Sequence, residues 1–589
     1  MEHTHTETAQ PAAPRNGRIS SLFTRTFLHS SAWERFIFSV LFLLALGSGT
    51  LLLFAAQQHL LVTVPQEGGT FTEGIVGAPR NITPARATSQ SDLDLVSVVY
   101  AGLLTRNATG ELVPELAESY TVSEDGRTYT FILKNDIHFH DGTPLTSSDI
   151  AFTVKHIQDP AIRSTLATRW ANVVVETPDT RTVVFTLPQP LSSFVEECTV
   201  GILPEHTWGA LNGDEYAHTE LNIRPIGAGP YKVSRVDFDE SGIATQYHLG
   251  RFSEYALGAP YLKQLLFTIY RNQEAMYTAF VNNEVDAIAG VHGTEISAIT
   301  ELRNEKRTTT TIYHAPMLRV FAVFLNQNNQ RLFTYPEVRK AVTTIAAANR
   351  TRIVSEVFAG YGSILEGPSV HRILNTAATS TVRAQDAETL LTDEGWERES
   401  NTGMYAYENK TGTTPLSFEL STVETLDLTK TAQILTEAWK QYGIDAQMRV
   451  YDPADFTQLV VRPRNYEALL FGFDIGHNND LYAFWHSSAR NDPGLNVAQY
   501  ADIESDALLE EIRKTNMTEE RNAKIEAFTE LLAEENNVVF LYAPHSTYLV
   551  SSAVKNIVLH PLANTSERFD TVHTWYRESE NVWPFLGGR

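Results

Sequence analysis

"NDIHFHDGTPLTSSDI", Asn135 to Ile150, places His138, His140 and Asp141 within four positions, and its reading decides whether the chain is built for chemistry or for binding. Asp141-Gly142-Thr143-Pro144 is a strong turn signal. Thr146-Ser147-Ser148-Asp149 fits a capping box, with Thr146 bonding the backbone N–H of Asp149 and Asp149 reaching back. "IAFTVKHI" then carries apolar residues at 150, 151, 154 and 157, the spacing of a helix face. The stretch reads as a strand, a turn and a capped helix. His138 and His140 share one side of the strand, which suits a metal. Zinc, however, needs three or four ligands in reach, and nothing nearby in the sequence completes the set. A scaffold turn is expected, without a metal.

Outward from this stretch, "DLDLVSVVYAGLL" (Asp92–Leu104) reads as a helix capped by Ser91. "TYTFILK" (Thr128–Lys134) and "TVVFTL" (Thr182–Leu187) read as strands, with Glu124-Asp125-Gly126 as hairpin chemistry before the first. Beyond Pro316 helices alternate with strands. Pro336 opens one helix, Gly443 closes another before the strand "IDAQMRV", and Thr518 caps a third. Repeated helix, loop and strand argue for an α/β lobe with a largely parallel sheet.

With 589 residues the chain exceeds what one core serves, so at least two lobes are expected. The net charge of −24 repels phosphate backbones and argues against nucleic-acid binding. Cys198 is the one cysteine, which excludes an intrachain disulfide and a cysteine-based zinc site. "FIFSVLFLLALGSGTLLLFAA" (Phe36–Ala56) runs without a charge and is long enough to span a bilayer. Arg15, Arg18, Arg25 and Arg35 precede it, which keeps the N-terminus inside and sends the bulk of the chain out. An uncleaved anchor is expected, because a signal peptide has a shorter apolar core and a shorter leader. The chain contains no Gly-x-Ser-x-Gly elbow and no His-Glu-x-x-His helix, so neither of these hydrolase signatures is present.

"VYAGLLTRNATGELVPELAESYTVSEDGRTYTFILKNDIHFHDGTPLTSSDIAFTVKHI" (Val99–Ile157) resembles the best-known segment of the family 5 extracellular solute-binding proteins, the peptide, dipeptide and nickel receptors of ABC importers. "EGGTFTEGIVGAPRNITPA" (Glu67–Ala85) resembles the family's first strand and loop. "PIGAGPYKV" (Pro225–Val233) resembles its return strand, with Ala228 where Thr is usual. "AMYTAFVNNEVDAI" (Ala275–Ile288), "FTYPEVRKAVTTIAAANRTRIVSEVFAGYG" (Phe333–Gly362) and "AETLLTDEGW" (Ala387–Trp396) follow in the family's order. Each motif is weak alone; six in sequence are specific.

The resemblance implies an α/β chain with the type II periplasmic-binding-protein fold in its large three-subdomain form, with a hinged interlobe cleft. One N-terminal transmembrane helix would precede it. Residues 1–35 would be a disordered cytoplasmic leader, 36–57 the anchor and 58–66 a tether. Residues 67–316 would form lobe I, with a subdomain inserted at about 91–222; 317–540 would form lobe II, and 541–589 would return to lobe I. "MLRVFAVFLN" (Met317–Asn326) and "VVFLYAPHSTYLV" (Val538–Val550) would cross between the lobes. In peptide-binding members an Asp after a Gly-Trp strand pairs with the peptide amine. The matching stretch here, "LLFGFDIGHNNDLYAFWHSS" (Leu469–Ser488), has Phe473 in place of that Trp. Asp474 and Asp480 are both candidates for the amine partner, and Phe473, His477, Asn478 and Trp485 are further candidates for the ligand site. The implied function is that of a binding component of an ABC importer, not an enzyme, and no cofactor is expected. A peptide ligand, permease subunits and a membrane contact through the helix are the expected partners, and a monomer is expected. The implied location is a single-pass cell-membrane protein with its binding domain extracytoplasmic. The departure at Phe473 keeps a nickel chelate, a sugar or another small solute as the alternative ligand.

Overall fold

The computed structural model describes residues 31–60, 62–211, 215–369, 383–409, 412–515 and 518–582. Most of the leader, including Arg15, Arg18 and Arg25, lies outside the described residues. The chain divides into two compact units, one formed by Met1–Gln66 with Ser579–Arg589 and the other by Glu67–Glu578.

In the first unit a helix runs Ala32–Leu60, longer at both ends than the expected anchor. Its stretch Ala32–Leu51 is long and apolar enough to cross a membrane. Phe38, Leu41, Phe42, Leu43 and Leu44 are all exposed. The expected tether carries a strand, Val62–Pro65, antiparallel to Ser579–Val582 with Val62 opposite Val582.

In the second unit a single mixed sheet runs through both lobes. On the lobe I side its strands are, in order, Tyr231–Phe238, Ala244–Arg251, Gln264–Tyr270, Thr70–Val76 and Ala287–Ala289. The strand Val538–Ser551 follows. Arg319–Leu325, Ala468–Asp474, Ser417–Val423 and Asp445–Tyr451 complete the lobe II side. Ser417–Val423 runs parallel to both of its neighbours, whereas Arg319–Leu325 is antiparallel to both of its own. The lobe II sheet is therefore mixed rather than largely parallel, because two of its members are the strands that cross from lobe I.

Those crossing strands make the hinge. The first half of Val538–Ser551 pairs with Arg319–Leu325, and its second half pairs with Thr310–Pro316. The partner strand thus starts at Thr310, earlier than the expected Met317, and is interrupted at Met317-Leu318. Pro316 and Pro544 sit at the crossing, and proline has no N–H to give to a ladder. The backbone is knitted there by other bonds. Met317 donates to the Pro544 carbonyl at 2.8 Å, and Leu318 donates to that of Leu562 at 2.7 Å.

Alternation along the strands builds the cores. In Arg319–Leu325 the side chains of Val323 and Leu325 enter one lobe II core, with Leu420 and Trp439. Val320, Ala322 and Phe324 enter the other, with Trp485 and Phe528. Both faces are covered, so the strand reads as a continuous apolar run. Lobe I has its own core around Phe71, Leu95, Phe131, Trp170 and Trp575. Its insertion carries an antiparallel sheet of Ala117–Val122, Thr128–Leu133, Thr182–Thr186 and Val174–Glu176.

The opening stretch belongs to this scaffold. Phe139 is fully buried, and His138 forms only an isolated bridge to Pro144 rather than a strand. Asp141 Oδ1 accepts the Thr143 N–H at 3.0 Å, closing the turn. The helix runs Ser147–Gln158, and Asp149 reaches back to accept the Thr146 N–H at 2.9 Å. His140 is locked onto the return strand, with Nε2 3.0 Å from the Gly229 carbonyl oxygen. Burial pushes its pKa down to about 4. Gly227 and Gly229 pass so close to the Val99 backbone that a Cβ would fall 2.1 Å from the Val99 oxygen at Gly227. The Gly-x-Gly spacing is therefore a packing requirement. The helix after Thr70–Val76 differs from expectation. It spans Gln90–Val99 and is capped by Ser89, whose Oγ accepts the Asp92 N–H at 3.1 Å. Ser91 lies inside it and is buried.

Candidate functional site

A cavity of about 1020 Å³ lies between the lobes, at the upper end of the ~300–1,000 Å³ usual for small-molecule sites. Lobe I supplies Leu93, Val96 and Ser97 from the helix Gln90–Val99, together with Glu115 and Tyr255. Ser566, Glu567 and Asp570 form its floor. Lobe II supplies the loop that follows the strand Ala468–Asp474.

That loop is set by the hinge. Ile475 donates to the Leu318 carbonyl at 3.0 Å, so the loop leaves the sheet beside the crossing. Gly476 and Asn479 adopt positive φ of 56° and 45°, turning the chain back toward lobe I. Asp474, His477, Asn478 and Asp480 consequently line the cavity. Phe473 and Trp485 point the other way. Both are buried, and Trp485 packs with Phe324, Phe473, Phe528 and Phe540. They anchor the loop to the lobe II core and do not line the cavity.

The two aspartates are not equivalent. Asp480 is held by Arg513, whose Nε lies 2.9 and 3.1 Å from its two oxygens. Its side chain is 17% exposed. Asp474 pairs with Arg319 across the sheet, and both side chains are open, 58% and 46% exposed. An exposed pair of this kind contributes ~0–1 kcal/mol, so a ligand cation can compete for it.

Lobe I contributes carboxylates that no single motif indicated. Glu115 accepts the Tyr255 hydroxyl at 2.6 Å and the Gly102 N–H at 2.9 Å. Burial pushes its pKa up to about 7. Asp570 is raised by burial as well, although His560 holds it at 3.0 Å. Glu567 accepts from His477 Nε2 at 2.9 Å, linking the floor to lobe II. Among the lining residues carboxylates outnumber guanidinium groups seven to three, which favours cationic groups on a ligand. Glu115 sits inside the apolar run "LVPELA", the one local sign that an acid was being buried. His560 and Asp570 carried no comparable sign.

The family model described as bacterial extracellular solute-binding proteins, family 5 (middle), matches residues 111–494. The chain belongs to this family. The match takes in most of the insertion, the crossing strand Arg319–Leu325, and Asp474 through Asp480. Among curated relatives the family 5 chain is 24% identical to the oligopeptide-binding protein AppA of Bacillus subtilis (strain 168) over 509 residues, 84% of this chain and 90% of that one. It is 22% identical to the dipeptide-binding protein of Escherichia coli (strain K12), covering 87% of this chain and 97% of that one. The solved structure of Bacillus subtilis AppA in complex with a nonapeptide superposes with a TM-score of 0.63 at 22% identity, covering 87% of this chain and all of that one. The chain has the type II periplasmic-binding-protein fold.

Proposed function

We propose that this family 5 protein captures peptides in the interlobe cavity for the permease subunits of an ABC importer. The helix Ala32–Leu60 holds it to the membrane with the binding unit outside the cytoplasm. It acts by binding and release, not by catalysis. The observation that carries this reading is the cavity itself, which is large, is lined from both lobes and opens on a two-strand hinge. A ligand that touches both lobes stabilises the closed form, and closure is a signal a permease can read. Relatives named for oligopeptide and dipeptide binding support a peptide over other solutes.

Within that reading Asp474 is the amine partner, because its carboxylate is open to the cavity and only weakly held. Asp480 positions the loop through Arg513, and His477 and Asn478 contact the ligand beside it. Native mass spectrometry of the purified protein, followed by calorimetric titration with a mixed peptide library, tests the assignment. Retention of another solute with no binding of any peptide rejects it.

A further inference from the structure

Three side chains that no sequence motif connects meet at the base of the cavity. His477 comes from the lobe II loop, and His560 and Glu567 come from the return segment that floors lobe I. One ligand atom from each lies within 4.8 Å of the other two. His477 Nε2 is 2.9 Å from Glu567 Oε2, and the two imidazole rings are 5.8 Å apart at their centroids.

Two imidazole nitrogens and one carboxylate suit first-row transition ions, whereas magnesium and calcium prefer sites made of oxygen alone. Ligand atoms in a tetrahedral site with bonds of ~2.0–2.2 Å lie roughly 3.3–3.6 Å apart. The three ligand atoms, now within 4.8 Å of one another, must draw together to reach that value. His560 is 2% exposed at its side chain, and His477 and Glu567 are 16% and 17% exposed, so the site is sheltered yet reachable.

Surrounding hydrogen bonds orient His560 and Glu567, whereas His477 is bonded to Glu567 itself. Whichever ring nitrogen His560 turns to an ion, the other keeps an acceptor, either Asp570 Oδ2 at 3.0 Å or the Pro561 carbonyl at 2.7 Å. Bonds of this kind orient ligating histidines. Glu567 is fixed by the Ala563 N–H at 2.8 Å and the Asn564 amide at 3.1 Å. Asp570 adds a second carboxyl group beside the site through its contact with His560. His477 and Glu567 line the cavity, which leaves one side of the site facing it.

We propose that His477, His560 and Glu567 bind a divalent transition-metal ion that ties lobe II to the floor of lobe I and keeps an open coordination position toward the cavity. An ion bound to both lobes favours the closed form by mass action, as a ligand does.

The test uses the full chain in detergent, stripped with a chelator and titrated calorimetrically with ZnCl2 and, separately, with MgCl2. One zinc site per chain with no magnesium site is expected. His477→Ala keeps every other histidine and removes little buried surface. It should weaken zinc binding by more than roughly a hundredfold, the upper range for outer-shell partners, and leave the metal-free melting temperature unchanged. Glu567→Gln should act in the same direction. A chain that binds zinc no better than its His477→Ala variant, or that binds magnesium equally well, overturns the proposal. Peptide titration in excess chelator separates this inference from the proposed function. Peptide binding by a chain without a zinc site removes the metal alone, and a zinc site in a chain that binds no peptide removes the peptide reading alone.

Discussion

Arg513 grips both carboxylate oxygens of Asp480, and its guanidinium lies 3.9 Å from the Tyr482 ring centroid. The pair is closed within lobe II, so the charge of Asp480 is answered before any ligand arrives. Asp480→Asn should lower folding stability by about 1–3 kcal/mol by leaving Arg513 half-buried without its partner. Peptides with free and acetylated N-termini should keep their affinity ratio. Denaturant unfolding and paired titrations check this, and a collapsed ratio would make Asp480 the amine partner instead.

Asp474 should behave in the opposite way. Asp474→Asn is expected to leave stability nearly unchanged, since its pair with Arg319 is exposed. It should weaken free-amine peptides by about 1–3 kcal/mol, roughly ten- to hundredfold. Acetylated peptides should bind the wild type with a similar loss and the variant with little further loss, a double-mutant cycle between protein and ligand.

Arg568 lies between Glu73 and Asp94 with all three side chains buried, and its two terminal nitrogens sit 2.8 Å from the Asp94 oxygens. It fixes the turn that carries Glu567 and Asp570 to the cavity floor. Arg568→Met strands two carboxylates in the lobe I core and should cost about 3–5 kcal/mol. Adding Glu73→Gln and Asp94→Asn to that variant should recover part of the loss, measured by urea unfolding.

Glu115 gives a pH signature. Burial raises its pKa from 4.5 to about 7 in the folded chain. The folded state therefore holds its proton more tightly than the unfolded state between those values. This contribution is full below pH ~4.5 and is lost as pH rises through ~7. Glu115→Gln removes the titration. The difference in melting temperature between variant and wild type should shift toward the variant as pH goes from 5 to 8. A difference that stays constant across that range would show that Glu115 titrates normally.

The apolar helix predicts how the chain fractionates. The full chain should need detergent, whereas a chain starting at Val62 keeps the Val62–Pro65 strand and should be soluble and monomeric. Sedimentation of both forms decides. Insolubility of the shorter form alongside a well-behaved full chain would reject a simple anchor.

Much of the architecture could be read locally. The turn at Asp141–Pro144, the box of Thr146 and Asp149, Pro336 at a helix start and Gly443 with φ of 79° each act within a few residues. Short-range hydrogen bonds and allowed φ/ψ regions decide such features. The order of the motifs identified the family for the same reason, since each is a local solution repeated along the chain. The helix cap moved from Ser91 to Ser89, an error of two residues that local signals could not prevent, because the stretch offers Ser89 and Ser91 as competing caps.

The site was legible only in part. The sequence located the lobe II loop, and Asp474, His477, Asn478 and Asp480 do line the cavity. Which aspartate stays available was not legible, because Arg319 and Arg513 reach them from 155 and 33 residues away in the chain. Phe473 and Trp485 looked like ligand contacts, yet the alternation of the strand and the packing around Phe324 send both into the core. His560 and Glu567 meet His477 across 83 and 90 residues, and Arg568 meets Glu73 across 495. The sequence by itself determined the elements, the family and the anchor-like helix, since those follow from the period of apolar residues and from short-range caps. Tertiary structure alone decided which charges are answered, which are open and which donors converge, because a carboxylate's role is set by what lies within a few ångströms, and chain order does not fix that distance.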